Sequence, residues 1–266
     1  MKPQILIVCV NYNSYDALYG YLDSIYEALD SCDKFDIIVK IADNSTDVKN
    51  FEYNKCLSFE VCKFNNIGYL GAAQSIINGL SDIDKYKYVI ISNVDLSIPK
   101  DFFQQLAEKE YDDNVAWIAP RILSMKENKN RNPKIIKRLS KKRISILQLF
   151  YKFPILNKIY EKFFYTRRQV SKQDFPSGNI YAGHGSFILL SNIFFTNYNK
   201  IEYPIFMFGE EIFLAELIRM KQLTVFYDSS LTIYDHDHIS TAKMRKDFYY
   251  QCNYRAVSYL KRTFYE

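Results

Sequence analysis

The chain has 266 residues, 48% of them hydrophobic and 24% charged, which is enough apolar material for a full core and excludes a disordered tail. Only eight Gly and seven Pro occur against 23 Tyr and 20 Phe, so collagen-like, linker-like and low-complexity architectures are excluded as well. The formal net charge is +5, yet residues 126–172 carry 15 Lys/Arg and 2 Glu, a local +13 that leaves −8 for the remainder, so a basic segment is set into an acidic body.

The first apolar run, ILIVCV at residues 5–10, is shorter than a signal-peptide core and runs straight into Asn11, Tyr12 and Asn13, so it reads as a buried first strand. Up to about Pro120, short apolar runs alternate with helix-period stretches, as in a parallel sheet covered by helices. Strands are expected at 5–10, 35–42, 58–64, 88–92 and 115–119. A helix between the first two carries Leu18, Tyr21, Leu22, Ile25 and Leu29 on one face, with Ser14 or Asp16 at its start. A second runs over about 70–80, and a third follows Pro99, with Asp101 placing negative charge at the positive helix end. The basic segment comes next, helical in parts. Beyond it are expected a strand at 186–190, a helix after Gly209, two short strands at 223–227 and 231–234, and a terminal helix over about 241–262.

The whole, residues 1–266, reads as one α/β domain with a mostly parallel sheet flanked by helices and an insert at 126–172. Lys152 and Lys158 interrupt the most apolar stretch, 145–165, so no segment reaches the ~18 apolar residues of a spanning helix. Cysteines at 9, 32, 56, 62 and 252 are odd in number and fit no zinc or CxxC spacing, which points to a reducing, cytoplasmic compartment.

Open α/β sheets bind ligands outside the carboxyl ends of their strands, so the residues following each strand matter most. These are Asn11-Tyr12-Asn13, Asp43-Asn44-Ser45, Asn65-Asn66-Ile67-Gly68 and Asn93-Val94-Asp95, four polar loops expected on one edge. Residues i and i+2 at a strand end point the same way, so Asn93 and Asp95 can share one cation and the diphosphate it bridges, and oxygen ligands suit Mg²⁺ or Mn²⁺. Glycines and alanines over 66–73 let backbone approach a ligand closely, although neither a GxGxxG fingerprint nor a Walker sequence occurs. Downstream, Glu210 and Glu211 stand at the mouth of a helix, as dipole partners or as a general base, and Asp235-His236-Asp237-His238 ends a strand with imidazole available for a metal or a phosphate.

In this order the landmarks VNYNS (10–14), DNST (43–46), NNIGYLGAA (65–73), NVDLSIP (93–99), FMFGEE (206–211) and the strand ending in His236 with Ser240 beyond resemble the bacterial family 2 glycosyltransferases, especially the rhamnosyltransferase-like branch that builds capsule and O-antigen polysaccharides. The resemblance implies a GT-A fold and an inverting, divalent-cation-dependent transfer from a nucleotide sugar, with dTDP-rhamnose or a UDP-hexose as donor and a glycan or lipid-linked glycan as acceptor. It implies that Asn11, Tyr12, Asn13 and Asp43 hold the nucleoside. Asn66 and Gly68 would line the nucleotide side, with Asn93 beside the diphosphate. Asp95 would bind the metal with His236 nearby, His184 would face the sugar, and Glu211 would be the base with Glu210 supporting it. The chain departs from the family pattern at Asn93, where the first Asp of a DxD motif is usual, at Glu211, where Asp is usual, and at Gln74, Phe213 and Leu217. A non-catalytic module that binds nucleotide sugar is the alternative.

In the insert, Lys137, Arg138, Lys141, Lys142 and Arg143 precede Ile146, Leu147, Leu149, Phe150 and Tyr151, and Phe163, Phe164 and Tyr165 precede Arg167 and Arg168. Basic residues interleaved with aromatics suit peripheral contact with an anionic membrane at its inner face, where a lipid-linked acceptor would be met. A solvated helical face is the plain reading, and nucleic acid is a rival partner that is not expected.

Overall fold

A computed structural model describes residues 2–156, 175–237 and 244–266. Its strands, in chain order, are β1 (Gln4–Asn11), β2 (Asp36–Asp43), β3 (Phe59–Lys63), β4 (Tyr86–Asn93), β5 (Leu96–Ser97), β6 (Val115–Ser124), β7 (Lys129–Asn130), β8 (Gly178–Ile180), β9 (Phe187–Ser191) and β10 (Thr224–Asp235). The helices are α1 (Tyr15–Asp30), α2 (Tyr69–Asn78), α3 (Phe102–Ala107), α4 (Lys141–Lys152), α5 (Asn192–Asn197), α6 (Glu210–Met220) and α7 (Lys246–Phe264). The strands join in one sheet of order β3-β2-β1-β4-β9-β6-β10-β5, with β7 on β6 and β8 on β10. Neighbours from β3 to β4 are parallel, as are β6 and β10, whereas β9 runs against both β4 and β6. This is the mixed, mostly parallel α/β sheet expected from the alternating pattern.

A strand covered on both faces reads as an unbroken apolar run, and β1 shows why. Ile5, Ile7 and Cys9 enter one core with Leu18, Tyr21, Leu22 and Ile25 of α1, while Leu6 and Val8 enter a second core with Leu70, Ala72, Ala73 and Ile76 of α2. The fully buried Ala72 and Ala73 bring α2 close to the sheet. Since β1 pairs with β2 on one side and β4 on the other, the strand order reverses there, and a crevice opens at the carboxyl ends of β1 and β4.

Several expectations are revised. The two short strands at 223–227 and 231–234 are one strand, β10, whose pairing with β6 slips between Asp228 and Thr232. The polar Asp228-Ser229-Ser230 stretch reads as a turn in sequence, but the Asp228 carboxylate accepts from Ser230 Oγ at 2.6 Å and Tyr111 Oη at 2.9 Å, so the chain bulges and continues. The last helix starts at Lys246 rather than about 241, and residues 241–243 lie outside the described residues. Ser14 sits at the start of α1, but its hydroxyl donates to the Tyr12 carbonyl and does not cap the helix.

The insert is partly built into the fold. Ser140 caps α4 by accepting from the Arg143 N–H at 3.2 Å, and Ile144, Leu147 and Tyr151 pack with Val257 and Tyr265. Arg138 is not a free surface charge: its guanidinium donates to the fully buried Glu216 carboxylate at 2.7 Å and to the Phe264 carbonyl at 2.9 Å, and lies 4.2 Å from the Tyr265 ring centre. This clamp ties the insert to α6. Phe163, Phe164, Tyr165, Arg167 and Arg168 lie outside the described residues. Among the described residues no helix is long and apolar enough to cross a membrane.

Candidate active site

The crevice at the carboxyl edge is a cleft of about 770 Å³ whose lining includes Tyr12, Asn44, Asn66, Gly68, Asn93, Asp95, His184, Glu210 and Glu211. The wall formed by the loops after β2 and β3 is built by hydrogen bonds between them. Asn44 Oδ1 accepts from the Ile67 N–H at 2.9 Å, and its Nδ2 donates to the Gly68 carbonyl at 3.1 Å. Gly68 starts α2 with φ +88°, and a Cβ there would lie 1.9 Å from the Phe206 carbonyl oxygen, so only glycine fits. Further along α2, Gln74 and Asn78 grip the backbone of Tyr203 and Ile201 through paired bonds of 2.8–3.1 Å. Gln74 therefore serves to hold the strand of chain that leads into residues 206–209.

Two residues expected at the nucleoside lie under the cleft in this structure. Asn11 and Asp43 are buried beneath the cleft and do not line it. Asp43 accepts from Asn11 Nδ2 at 3.1 Å, Ser45 Oγ at 2.6 Å and Tyr15 Oη at 2.8 Å, while Asn11 Oδ1 accepts from the Ser14 N–H. Their polarity is consumed in fastening the first two loops together. Asn13 is likewise engaged with Thr46 and the Asp47 N–H. What these loops present to the cleft is Tyr12, 40% exposed, with Ser14 and Asn44.

The opposite wall comes from β9 and α6. The Asn93 N–H donates to the Ser186 carbonyl at 2.9 Å, joining the start of β9 to the end of β4. His184 Nδ1 accepts from the Ser186 N–H at 3.2 Å, which puts the ring proton on Nε2. Burial, with help from the charges of Lys134 and Arg131, pushes its pKa down to about 3, so the ring is neutral. Phe208 and Gly209 both have positive φ, 68° and 83°, and Tyr203 Oη donates to the Phe208 carbonyl at 2.6 Å, fixing the turn that opens α6. Glu210 and Glu211 follow directly, and both carboxylates crowd Gly185, whose added Cβ would lie 2.9 and 3.3 Å from them. Phe213 and Leu217, apolar where polar residues are usual in the family resembled, belong to the core packed under the sheet, so they take nothing from the cleft.

Burial first, and then the Glu211 charge, push Glu210 up to about 8. Glu210 thus holds its proton near neutrality. A carboxyl raised from its ordinary value in the folded state makes the protein less stable as pH rises between that ordinary value and the raised one. Glu210→Gln removes the penalty: its Tm should match wild type near pH 5 and exceed it by a few degrees at pH 8. A Tm difference that does not change with pH would contradict this.

The residues expected to bind a cation lie near one another without forming a closed cage. The His236 N–H donates to the Asp95 carbonyl at 3.0 Å, but its Nε2 lies 2.9 Å from Ser97 Oγ, and the ring is exposed and outside the cleft lining. Among the described residues no three His, Cys, Asp or Glu side chains gather as a metal site. Mg²⁺ and Mn²⁺ commonly take one or two carboxylates and complete their shell with water and substrate phosphate, and Asp95 with the Asn93 amide fits that donor set. Lys134 and Asn44 also line the cleft. Lys134 belongs to no motif and its only sequence signal is the Asn132-Pro133 turn before it.

No family model and no curated protein sequence matches the chain. Its fold is similar to that of the mannosyltransferase PcManGT from Pyrobaculum calidifontis, solved with GDP-Man and Mn²⁺, at a TM-score of 0.54 and 14% identity over 91% of this chain and 59% of that one. It is also similar to residues 1–349 of TarS from S. aureus, at a TM-score of 0.52 and 9% identity over 99% of this chain and 72% of that one. The chain thus spans about three fifths of PcManGT's length. The shared architecture is the GT-A-like glycosyltransferase fold.

Proposed function

We propose that the protein is an inverting glycosyltransferase that moves a sugar from a nucleoside-diphosphate donor to a glycan or lipid-linked glycan acceptor in bacterial surface polysaccharide synthesis. The observation that carries this reading is the cleft itself, which sets hydrogen-bonding loops from β1, β2 and α2 on one side, a carboxylate pair on the other, and Asp95 between. Tyr12, Asn44 and Asn66 face the nucleoside, Gly68 lets backbone approach it, and His184 donates from Nε2 toward the sugar. A sugar hydroxyl is a weak nucleophile, so Glu211 takes its proton as the oxygen bonds to the anomeric carbon. The bond from that carbon to the diphosphate oxygen breaks in the same displacement, and the configuration inverts. Asp95, with Asn93 and His236 beside it, would hold Mg²⁺ or Mn²⁺, which when bound supplies positive charge for the departing diphosphate. Glu210, protonated, donates to Glu211 or substrate without adding a second negative charge.

Incubation with dTDP-rhamnose, UDP-glucose, UDP-galactose and GDP-mannose tests the reading. Release of nucleoside diphosphate from one of them, raised by added acceptor, is the expected result. Tight nucleotide binding with no turnover would favour the non-catalytic module, and neither binding nor turnover would overturn both.

Peripheral contact with the inner face of the cell membrane is part of the proposal. Lys137, Lys141, Lys142 and Arg143 are exposed at the start of α4, and Leu149, Phe153, Ile155 and Leu156 are exposed toward its end, Ile155 at 72%. Each Lys or Arg near an anionic surface contributes about 1 kcal/mol. Neutralising these four cations, and leaving Arg138 in its clamp, should release the protein from phosphatidylserine vesicles in a salt-sensitive way. Unchanged binding would return this face to solvent.

A further inference from the structure

Among the described residues lining the cleft, Lys134 is the one cation, facing a wall that holds Asp95, Glu210 and Glu211. It is an exposed side chain on an immobilised backbone. Just before it, Asn132 Nδ2 donates to the Pro120 carbonyl and its Oδ1 accepts from the His184 N–H, both at 2.7 Å. Just after it, Ile135 exchanges backbone bonds with Ala182 at 3.0 and 2.9 Å. Arg131, three residues earlier, is engaged by Asp235 and Asp237, whereas no ion pair joins Lys134 to another described residue. Its charge nonetheless reaches both His184 and Glu210.

A flexible ammonium on a fixed base, turned to a cleft whose other charged lining residues are carboxylates, is suited to an anion that arrives with the substrate. We infer that Lys134 pairs with a phosphate oxygen of the substrate bound in this cleft. The inference rests on the nucleotide-sugar reading above and adds to it a binding residue supplied by the basic insert. Two sources offer the same chemistry, the diphosphate of the donor and a diphosphate that carries a lipid-linked acceptor.

Calorimetric titration of wild type, Lys134→Met and Lys134→Arg with UDP, dTDP and GDP, with the matching nucleosides, and with geranyl diphosphate separates them. Loss of a charge-assisted bond should weaken Lys134→Met about tenfold or more toward a diphosphate, with nucleoside affinity unchanged and Lys134→Arg retaining most of the binding. A loss confined to nucleoside diphosphates assigns Lys134 to the donor, and one confined to geranyl diphosphate assigns it to the acceptor. Undiminished affinity for both, or an equal loss for nucleosides, overturns the inference while leaving the glycosyltransferase reading in place. Failure of the wild type to bind any nucleoside diphosphate overturns that reading and this inference with it.

Discussion

Glu211→Gln is expected to turn over roughly 10²–10⁴-fold more slowly than wild type while binding its donor almost as well. Neighbouring helical residues point about 100° apart, yet both carboxylates at the head of α6 reach Gly185, so position alone does not choose between them. Burial and the negative charge beside it raise Glu210, so the pair is disposed to share one proton, and the family resembled carries its base at the second position, Glu211. Gln preserves size and one acceptor oxygen, so the loss should fall on turnover and not on donor affinity. Measured with saturating donor, near-normal turnover in Glu211→Gln together with a large loss in Glu210→Gln would move the base by one residue. Modest losses from both would point to a base elsewhere.

Asp95→Ala should lower divalent-dependent transfer by roughly 10³-fold, the scale of charge stabilisation that a metal ion supplies. Alanine keeps the backbone carbonyl with which Asp95 accepts from the His236 N–H, and thermal unfolding of the variant beside wild type checks that the loss falls on transfer and not on the fold. Chelation by EDTA should reproduce the effect in the wild type, and added Mn²⁺ should restore it there but not in the variant. Full activity after exhaustive chelation would sink the metal reading and leave Asn93 and Asp95 as hydrogen-bonding residues.

The central sheet was legible because parallel strands buried on both faces spell continuous apolar runs, as in ILIVCV, and because polar loops follow them at the edge where ligands bind. The strands that escaped notice, β5, β7 and β8, are two or three residues long and carry no periodicity. Asn11 and Asp43 show a different limit. Their position at strand ends is readable, but a sequence does not say whether a polar group is spent on its neighbours, and here Ser45 and Tyr15 take up what Asp43 could offer a ligand. The same applies in reverse to Arg138, one basic residue among several in sequence and the only one of its run shown bonded to Glu216. Lys134 was invisible because its role depends on Asn132 and Ala182 fixing the backbone on either side, contacts made across fifty residues of chain.

The parallel pairing of β6 with β10 aligns Trp117 with Val225, about a hundred residues later in the chain. Closing so large a loop costs entropy before any contact rewards it, whereas β1, β2 and β4 with their intervening helices lie within the first hundred residues. In a chain made from its amino end, β1, β2 and β4 can therefore pair before the turn that carries Glu210 and Glu211 exists, so the two walls of the cleft are brought together only by late, long-range contacts.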